Sequence, residues 1–202
     1  MDLIFLPGAS GNTEFWQPVI EKLPQHQNGD KTVIAYPEFG GYPSHIDVNS
    51  FTDLQHYVLD QIQQPCMIIA QSMGGIFAVQ AALQKPELVK ALVLVATSGG
   101  IDLSPFDVAD WRTDYQQTFK VPDWFIHQQP HLDDVLYKIA CPVLLIWGNT
   151  DAISPVAVGK YLHSKIGSST LHIIKNGQHD LAYVHVDEVT EYINKFIIQL
   201  HS

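Results

Sequence analysis

The chain has 202 residues, enough for one domain with a sizeable core. Its hydrophobic fraction of 46% and charged fraction of 16% fit a globular protein rather than a disordered one. A net charge of −10 argues against nucleic acid and anionic membrane surfaces as partners, because no basic stripe is available to meet their phosphates.

The first predicted strand is the apolar run 3–6, which leads into the loop Pro7-Gly8-Ala9-Ser10-Gly11-Asn12. A helix is predicted over about 14–23, where Phe15, Trp16, Val19, Ile20 and Leu23 recur at helical spacing. The second run is 32–36, followed by a helix over about 51–62 carrying Phe51, Leu54, Val58, Leu59 and Ile62. The third run, 66–70, passes through Gln71 and Ser72 into a helix over about 73–84. The fourth run is 91–96. After it, about 99–138 holds no strong strand but is rich in aromatics, including Trp111, Tyr115, Phe119, Trp124 and Phe125. That is too long for a plain loop. It reads as two or three short helices lying over one end of the sheet, a lid inserted in a single domain of residues 1–202. The fifth run is 143–147, and Ser154-Pro155 supplies a cap and first turn for a helix over about 155–165. The sixth run, 170–174, precedes a last helix over about 186–199 with Val186, Val189, Ile193 and Phe196 on one face. Short Val-, Ile- and Leu-rich runs alternating with helices predict βαβ units and a parallel sheet buried on both faces.

Cys66 and Cys141 each begin an apolar run, a position suited to a small buried residue. Two isolated thiols make neither a disulfide framework nor a zinc site, so no metal is expected. The N-terminus has no basic region ahead of its short apolar run, and no stretch approaches a membrane span. The cytoplasm is therefore the expected compartment. Self-association into a homo-oligomer is left open by the sequence.

Four features carry chemistry. In Ala70-Gln71-Ser72-Met73-Gly74-Gly75 an apolar run ends at a serine flanked by small residues two positions before and after. A nucleophile on a tight strand-to-helix turn needs that pattern, because larger neighbours would collide. Alone, the pentapeptide also fits an ordinary turn into a helix. In Gly148-Asn149-Thr150-Asp151, the aspartate lies just beyond a strand, at the sheet end where Ser72 emerges. A carboxylate there can accept an imidazole N–H and hold its tautomer, although turn and capping aspartates are common in such loops. In Asn176-Gly177-Gln178-His179, a histidine follows the last strand; His127, His131, His172 and His185 occupy weaker positions. In the loop after the first strand, the backbone N–H of Ala9, together with that of Met73, is a candidate oxyanion donor. The order Ser…Asp…His, each after a predicted strand, makes the set stronger than its parts.

On these motifs the sequence resembles the α/β-hydrolase superfamily from end to end. It looks most like small lid-bearing esterases whose elbow reads Gly-His-Ser-Met-Gly-Gly. Gly148, Asp151 and Pro155 match the family's acid loop, Gly177 and His179 its histidine loop, and Pro7-Gly8 with Trp16 its early His-Gly loop. Pro7, Ala70 and Gln71 depart from the usual His, Gly and His. The resemblance implies a three-layer α/β-hydrolase fold with a short helical lid. Its parallel sheet should have six strands, in the order 4-3-5-6-7-8 by the family's count. It also implies cofactor-free chemistry: Ser72 as nucleophile, His179 as base, Asp151 as the orienting acid, and Ala9 and Met73 amides as the oxyanion hole.

The expected substrate is a small, partly apolar carboxylic ester, with Gln71, Trp111 and Trp124 on the pocket wall. Thioester or carbon–carbon hydrolysis on the same residues, or a ligand-binding receptor on this scaffold, are the alternatives. Asp102, after the fourth strand, is the alternative acid.

Overall fold

The computed structural model describes residues 1–24, 29–109, 115, 118, 121, 122, 124, 125 and 130–200. Six strands form one sheet: β1 Asp2–Leu6, β2 Lys31–Val33, β3 Cys66–Gln71, β4 Val89–Val95, β5 Val143–Gly148 and β6 Ser169–Ile174. Every neighbouring pair is parallel, in the order β2-β1-β3-β4-β5-β6. This is the order the resemblance implied, renumbered from the first strand of this chain.

The helices are α1 Gln17–Lys22, α2 Phe51–Asp60, α3 Met73–Gln84, α4 Val156–Lys165, α5 Leu181–Val184 and α6 Val186–Leu200. Alternate strand residues explain the three layers. Leu6, Ile68, Ala70, Leu92, Leu94 and Leu145 face one side, where α2, α3 and α4 bring Leu54, Phe77 and Leu162. Leu3, Phe5, Met67, Ile69, Val93 and Ile146 face the other, against Val19 of α1 and Val189, Ile193 and Phe196 of α6. Both faces of the central strands β1, β3, β4 and β5 are apolar because both are covered, whereas the edge strands β2 and β6 are partly exposed and carry polar residues. Each large side chain buried this way contributes about 1.5–3 kcal/mol of transfer free energy.

Local differences from the sequence reading have local causes. The helix predicted over 14–23 is a 3₁₀ turn, Thr13–Trp16, capped by Asn12, followed by α1 with a proline in its first turn. Pro18 suits that position because it lacks an N–H that would go unpaired there anyway. Strand β2 stops at Val33 rather than 36, and Tyr36 turns into the core to donate its hydroxyl to the Pro7 carbonyl at 2.9 Å. Ser154 does not cap α4. Pro155 takes the cap position without a side-chain bond, and the Ser154 hydroxyl is engaged elsewhere.

Between β4 and β5, residues 110–114, 116, 117, 119, 120, 123 and 126–129 of the expected helical segment lie outside the described residues. Of this segment, Leu136–Lys138 forms a 3₁₀ turn. Its two ends are joined where Leu132 N–H donates to the Gly100 carbonyl at 2.9 Å and Asp102 N–H to Asp133 Oδ2 at 3.0 Å. Among the described residues, no helix is long and apolar enough to cross a membrane.

Candidate active site

The site lies at the C-terminal ends of β1, β3 and β5 and just past β6. Parallel strands deliver their following loops to one end, so residues distant in sequence converge there.

Ser72 is the single residue between β3 and α3, with φ 52° and ψ −121°. A non-glycine residue there is strained and persists only when its surroundings fix it. Three hydrogen bonds do so. Ser72 N–H donates to Val95 O at 3.1 Å, and Ser72 O accepts from Gly75 N–H at 3.0 Å and from Thr97 Oγ1 at 2.5 Å. The small residues after it are required by contact. A Cβ on Gly74 would stand 2.6 Å from the Leu6 and Pro7 carbonyl oxygens, and one on Gly75 would stand 2.3 Å from Thr97 Oγ1. Ala70, two before the serine, fits fully buried in the core.

His179 lies between β6 and α5. Its Nε2 is 3.0 Å from Ser72 Oγ, and its Nδ1 is 2.9 Å from Asp151 Oδ2. The Asp151 carboxylate is fully buried, and its Oδ1 accepts from Ile153 N–H at 2.8 Å and Ser154 N–H at 3.0 Å. With both backbone donors on Oδ1, Oδ2 is left to accept the Nδ1 proton, which makes Nε2 an acceptor for the serine hydroxyl. The acid and histidine loops are stitched together. Thr150 donates its N–H at 3.0 Å and its hydroxyl at 2.8 Å to Gly177 O, and a Cβ on Gly148 would lie 2.1 Å from that same oxygen.

The structure therefore brings Ser72, His179 and Asp151 together. Asp102 bonds elsewhere: its carboxylate accepts from Ser104 N–H at 2.9 Å and Ser104 Oγ at 2.7 Å. The Ser104 side chain and backbone bonds hold the Asp102 carboxyl below the usual carboxylate range.

Two cavities meet at this point, with Ala9, Ser72, Ile153 and His179 common to both. The larger, about 350 Å³, has an apolar wall that includes Phe51, Met73, Ile76, Ile101, Phe106 and Phe125. The smaller, about 300 Å³, runs between Gly8, Ser10, Phe15, Gln71, Tyr115 and Gln178. Ala9 and Met73 thus flank Ser72 in one cavity. Gln71 lines the smaller one and also donates through Nε2 to the His179 carbonyl at 3.1 Å. Its Oε1 would lie 2.4 Å from a Cβ at residue 8, so glycine there makes room for it. Trp124 packs edge-on against Phe39, with centroids 5.8 Å apart, and is not part of either cavity wall; the neighbouring Phe125 is. Trp111 lies outside the described residues. Among the described residues, no cluster of three His, Cys, Asp or Glu could hold a metal ion.

Of the supporting groups, the sequence pointed to Trp16, through its match to the early loop, but not to its hydrogen bond or to Tyr36 and Thr97. Trp16 Nε1 donates to Leu6 O at 3.1 Å and Tyr36 to Pro7 O, fixing the strand end ahead of Ala9. Burial pushes the Tyr36 hydroxyl well above its ordinary pKa, so it stays a donor. Thr97 has no distinguishing sequence pattern, and the cap pattern of Ser154-Pro155 points away from the partner that Ser154 actually takes, Trp147 Nε1.

With this geometry in place, comparison with known proteins is decisive for the family. A family profile described as alpha/beta hydrolase fold matches residues 3–131, more than half of the chain. The chain belongs to the alpha/beta hydrolase fold family. It is 27% identical over 186 residues to an uncharacterized hydrolase, YugF, of Bacillus subtilis, covering 69% of this chain and 68% of that one. It is 22% identical over 246 residues to the pimeloyl-[acyl-carrier protein] methyl ester esterase of Aliivibrio fischeri, covering 98% and 94%. Among solved structures, MenH from S. aureus superposes with a TM-score of 0.78 at 18% identity, covering 100% of this chain and 95% of that one. At that identity the likeness speaks for the fold alone. This alpha/beta hydrolase therefore has relatives named as esterases, and its three converging side chains sit where the fold's loops gather.

Proposed function

We propose that this alpha/beta hydrolase is a serine esterase, cleaving a small, partly apolar carboxylic ester through an acyl-enzyme. The observation that carries the reading is the unbroken contact Ser72 Oγ–His179 Nε2–Asp151, at 3.0 and 2.9 Å. Ser72 Oγ attacks the ester carbonyl carbon while its proton passes to His179 Nε2. The Ala9 and Met73 amides hold the oxyanion; one such donor is typically worth about a hundredfold or more in rate. The imidazolium returns the proton to the departing alkoxide, so the alcohol leaves and an acyl-serine remains. Water then repeats the sequence, giving the acid and free Ser72. No cofactor enters the scheme.

The two cavities suit the two halves of an ester, with the larger apolar one for the more hydrophobic half. Ile101, Leu103, Phe106, Phe125 and Pro130 all line it, which supports a lid role for the segment of about 99–138 in a single domain. An esterase named for a methyl ester among the relatives supports the bond type. A cytoplasmic location accompanies this reading.

The test is hydrolysis of p-nitrophenyl esters of increasing acyl length by wild type and S72A. The reading expects medium-length esters to turn over and S72A to lose the activity. Equal turnover by S72A would overturn it.

A further inference from the structure

The hydrogen bonds around Ser72 do not stop at Asp151; they close into a ring. Ser154, whose N–H donates to Asp151 Oδ1, also has a buried hydroxyl. That oxygen accepts from Trp147 Nε1 at 3.1 Å. Indole nitrogen can only donate, so the Ser154 proton is free to point onward, and it meets the Thr97 carbonyl at 3.4 Å. Thr97 Oγ1 in turn accepts from Gly99 N–H at 3.0 Å and donates to Ser72 O at 2.5 Å. The donor directions are thus settled at both hydroxyls by partners that can act in one way only.

Thr97 is placed by a strained turn. Ala96, the first residue past β4, has φ 46° and is held by its N–H on Ile146 O at 3.1 Å. An alanine in that region is uncommon and marks a backbone fixed by its surroundings. Thr97 is 1% exposed and Ser154 4%, so neither hydroxyl can trade its protein partner freely for water.

We propose that Thr97 and Ser154 are positioning residues, which lock the acid loop to the nucleophile turn and so set the Ser72–His179 contact. The proposal rests on the reading of Ser72 as nucleophile. Neither residue touches the reacting atoms. Thr97 grips the carbonyl of a residue in strained backbone. Losing that bond lets Ser72 relax, and a small displacement of Oγ relative to Nε2 is enough to slow attack. Ser154 fixes the distance between that turn and the loop bearing Asp151.

The experiment compares wild type, T97V and T97S for the rate of inactivation by a small fluorophosphonate. Thermal unfolding and p-nitrophenyl butyrate kinetics are followed in parallel. Valine keeps the shape and removes the hydroxyl; serine keeps the hydroxyl and removes a methyl. The expected result is labelling about tenfold or more slower in T97V, kcat falling in step and KM unchanged. T97S should recover most of the rate even where its melting temperature is lowered. A folded T97V that labels at the wild-type rate overturns the proposal, as does T97S slowed as much as T97V. Wild type that is not labelled at all would overturn the nucleophile reading with it. Should T97V not fold, S154A carries the test: kcat lowered at unchanged KM supports the ring, and unaltered kcat overturns it.

Discussion

Replacing Asp151 by asparagine exchanges one oxygen for an amide nitrogen at nearly constant shape. The structure dictates which way the amide turns. Oδ1 of Asp151 accepts two backbone N–H groups, from Ile153 and Ser154, at 2.8 and 3.0 Å. An asparagine NH₂ in that place would face two donors inside a buried loop, so its carbonyl oxygen must stay there. The NH₂ then points at His179 Nδ1, now 2.9 Å from Oδ2. A donor opposite Nδ1 forces the imidazole proton onto Nε2, where it faces the Ser72 hydroxyl and cannot take its proton. The wrong tautomer in a comparable serine triad costs about 10⁴ in turnover. That equals roughly 5.5 kcal/mol of transition-state free energy. D151N is therefore expected to lose three to four orders of magnitude in kcat for p-nitrophenyl butyrate, of that order by the same analogy. Its two backbone bonds survive, so its thermal unfolding should stay close to wild type. D102N, whose carboxylate accepts from Ser104 on the wall of the larger cavity rather than from His179, keeps its shape and is expected to retain a kcat far closer to wild type than D151N does. A D151N enzyme with more than a tenth of wild-type kcat, beside a crippled D102N, would refute the reasoning and move the acid.

Other expectations follow from contacts elsewhere. G75A puts a Cβ 2.3 Å from Thr97 Oγ1, an overpacking expected to cost about 1–3 kcal/mol in denaturant unfolding. I76W fills part of the 350 Å³ cavity, so the preferred p-nitrophenyl ester should shift to a shorter acyl chain, read from kcat/KM along the series. Burial pushes the Cys66 and Cys141 thiols each up to about 11. At pH 8 only about one part in a thousand of each is then thiolate, so native thiols should react with iodoacetamide far more slowly than in denaturant. Rapid stoichiometric alkylation of the native protein would contradict that.

How much was legible in the sequence depended on how local the cause was. Strands buried on both faces announce themselves as Val-, Ile- and Leu-rich runs, and five of the six strand positions were read to within two residues. Their lateral order came from the resemblance, since spacing alone does not order a parallel sheet. The second strand was overextended because Tyr36 is as apolar as a strand residue but is drawn away by the Pro7 carbonyl. Ser154 resembled a helix cap, yet a buried indole 3.1 Å away claimed its hydroxyl, a tertiary contact no local pattern encodes. Ser72, Asp151 and His179 were readable because a strained turn and two glycine-bearing loops leave short-range signatures. Thr97 was not, since its role depends on the backbone carbonyl of a residue 25 positions away. The pocket wall was the least legible part, because an aromatic such as Trp124 packs on Phe39 or faces a cavity according to contacts made far along the chain.

The most direct measurement is intact-mass and peptide mapping of the protein after reaction with a fluorophosphonate, with S72A alongside. The account predicts a single phosphonyl adduct on Ser72, loss of ester hydrolysis in proportion to labelling, and no adduct on S72A. An adduct on another residue, or ester hydrolysis that continues with Ser72 fully modified, would contradict it.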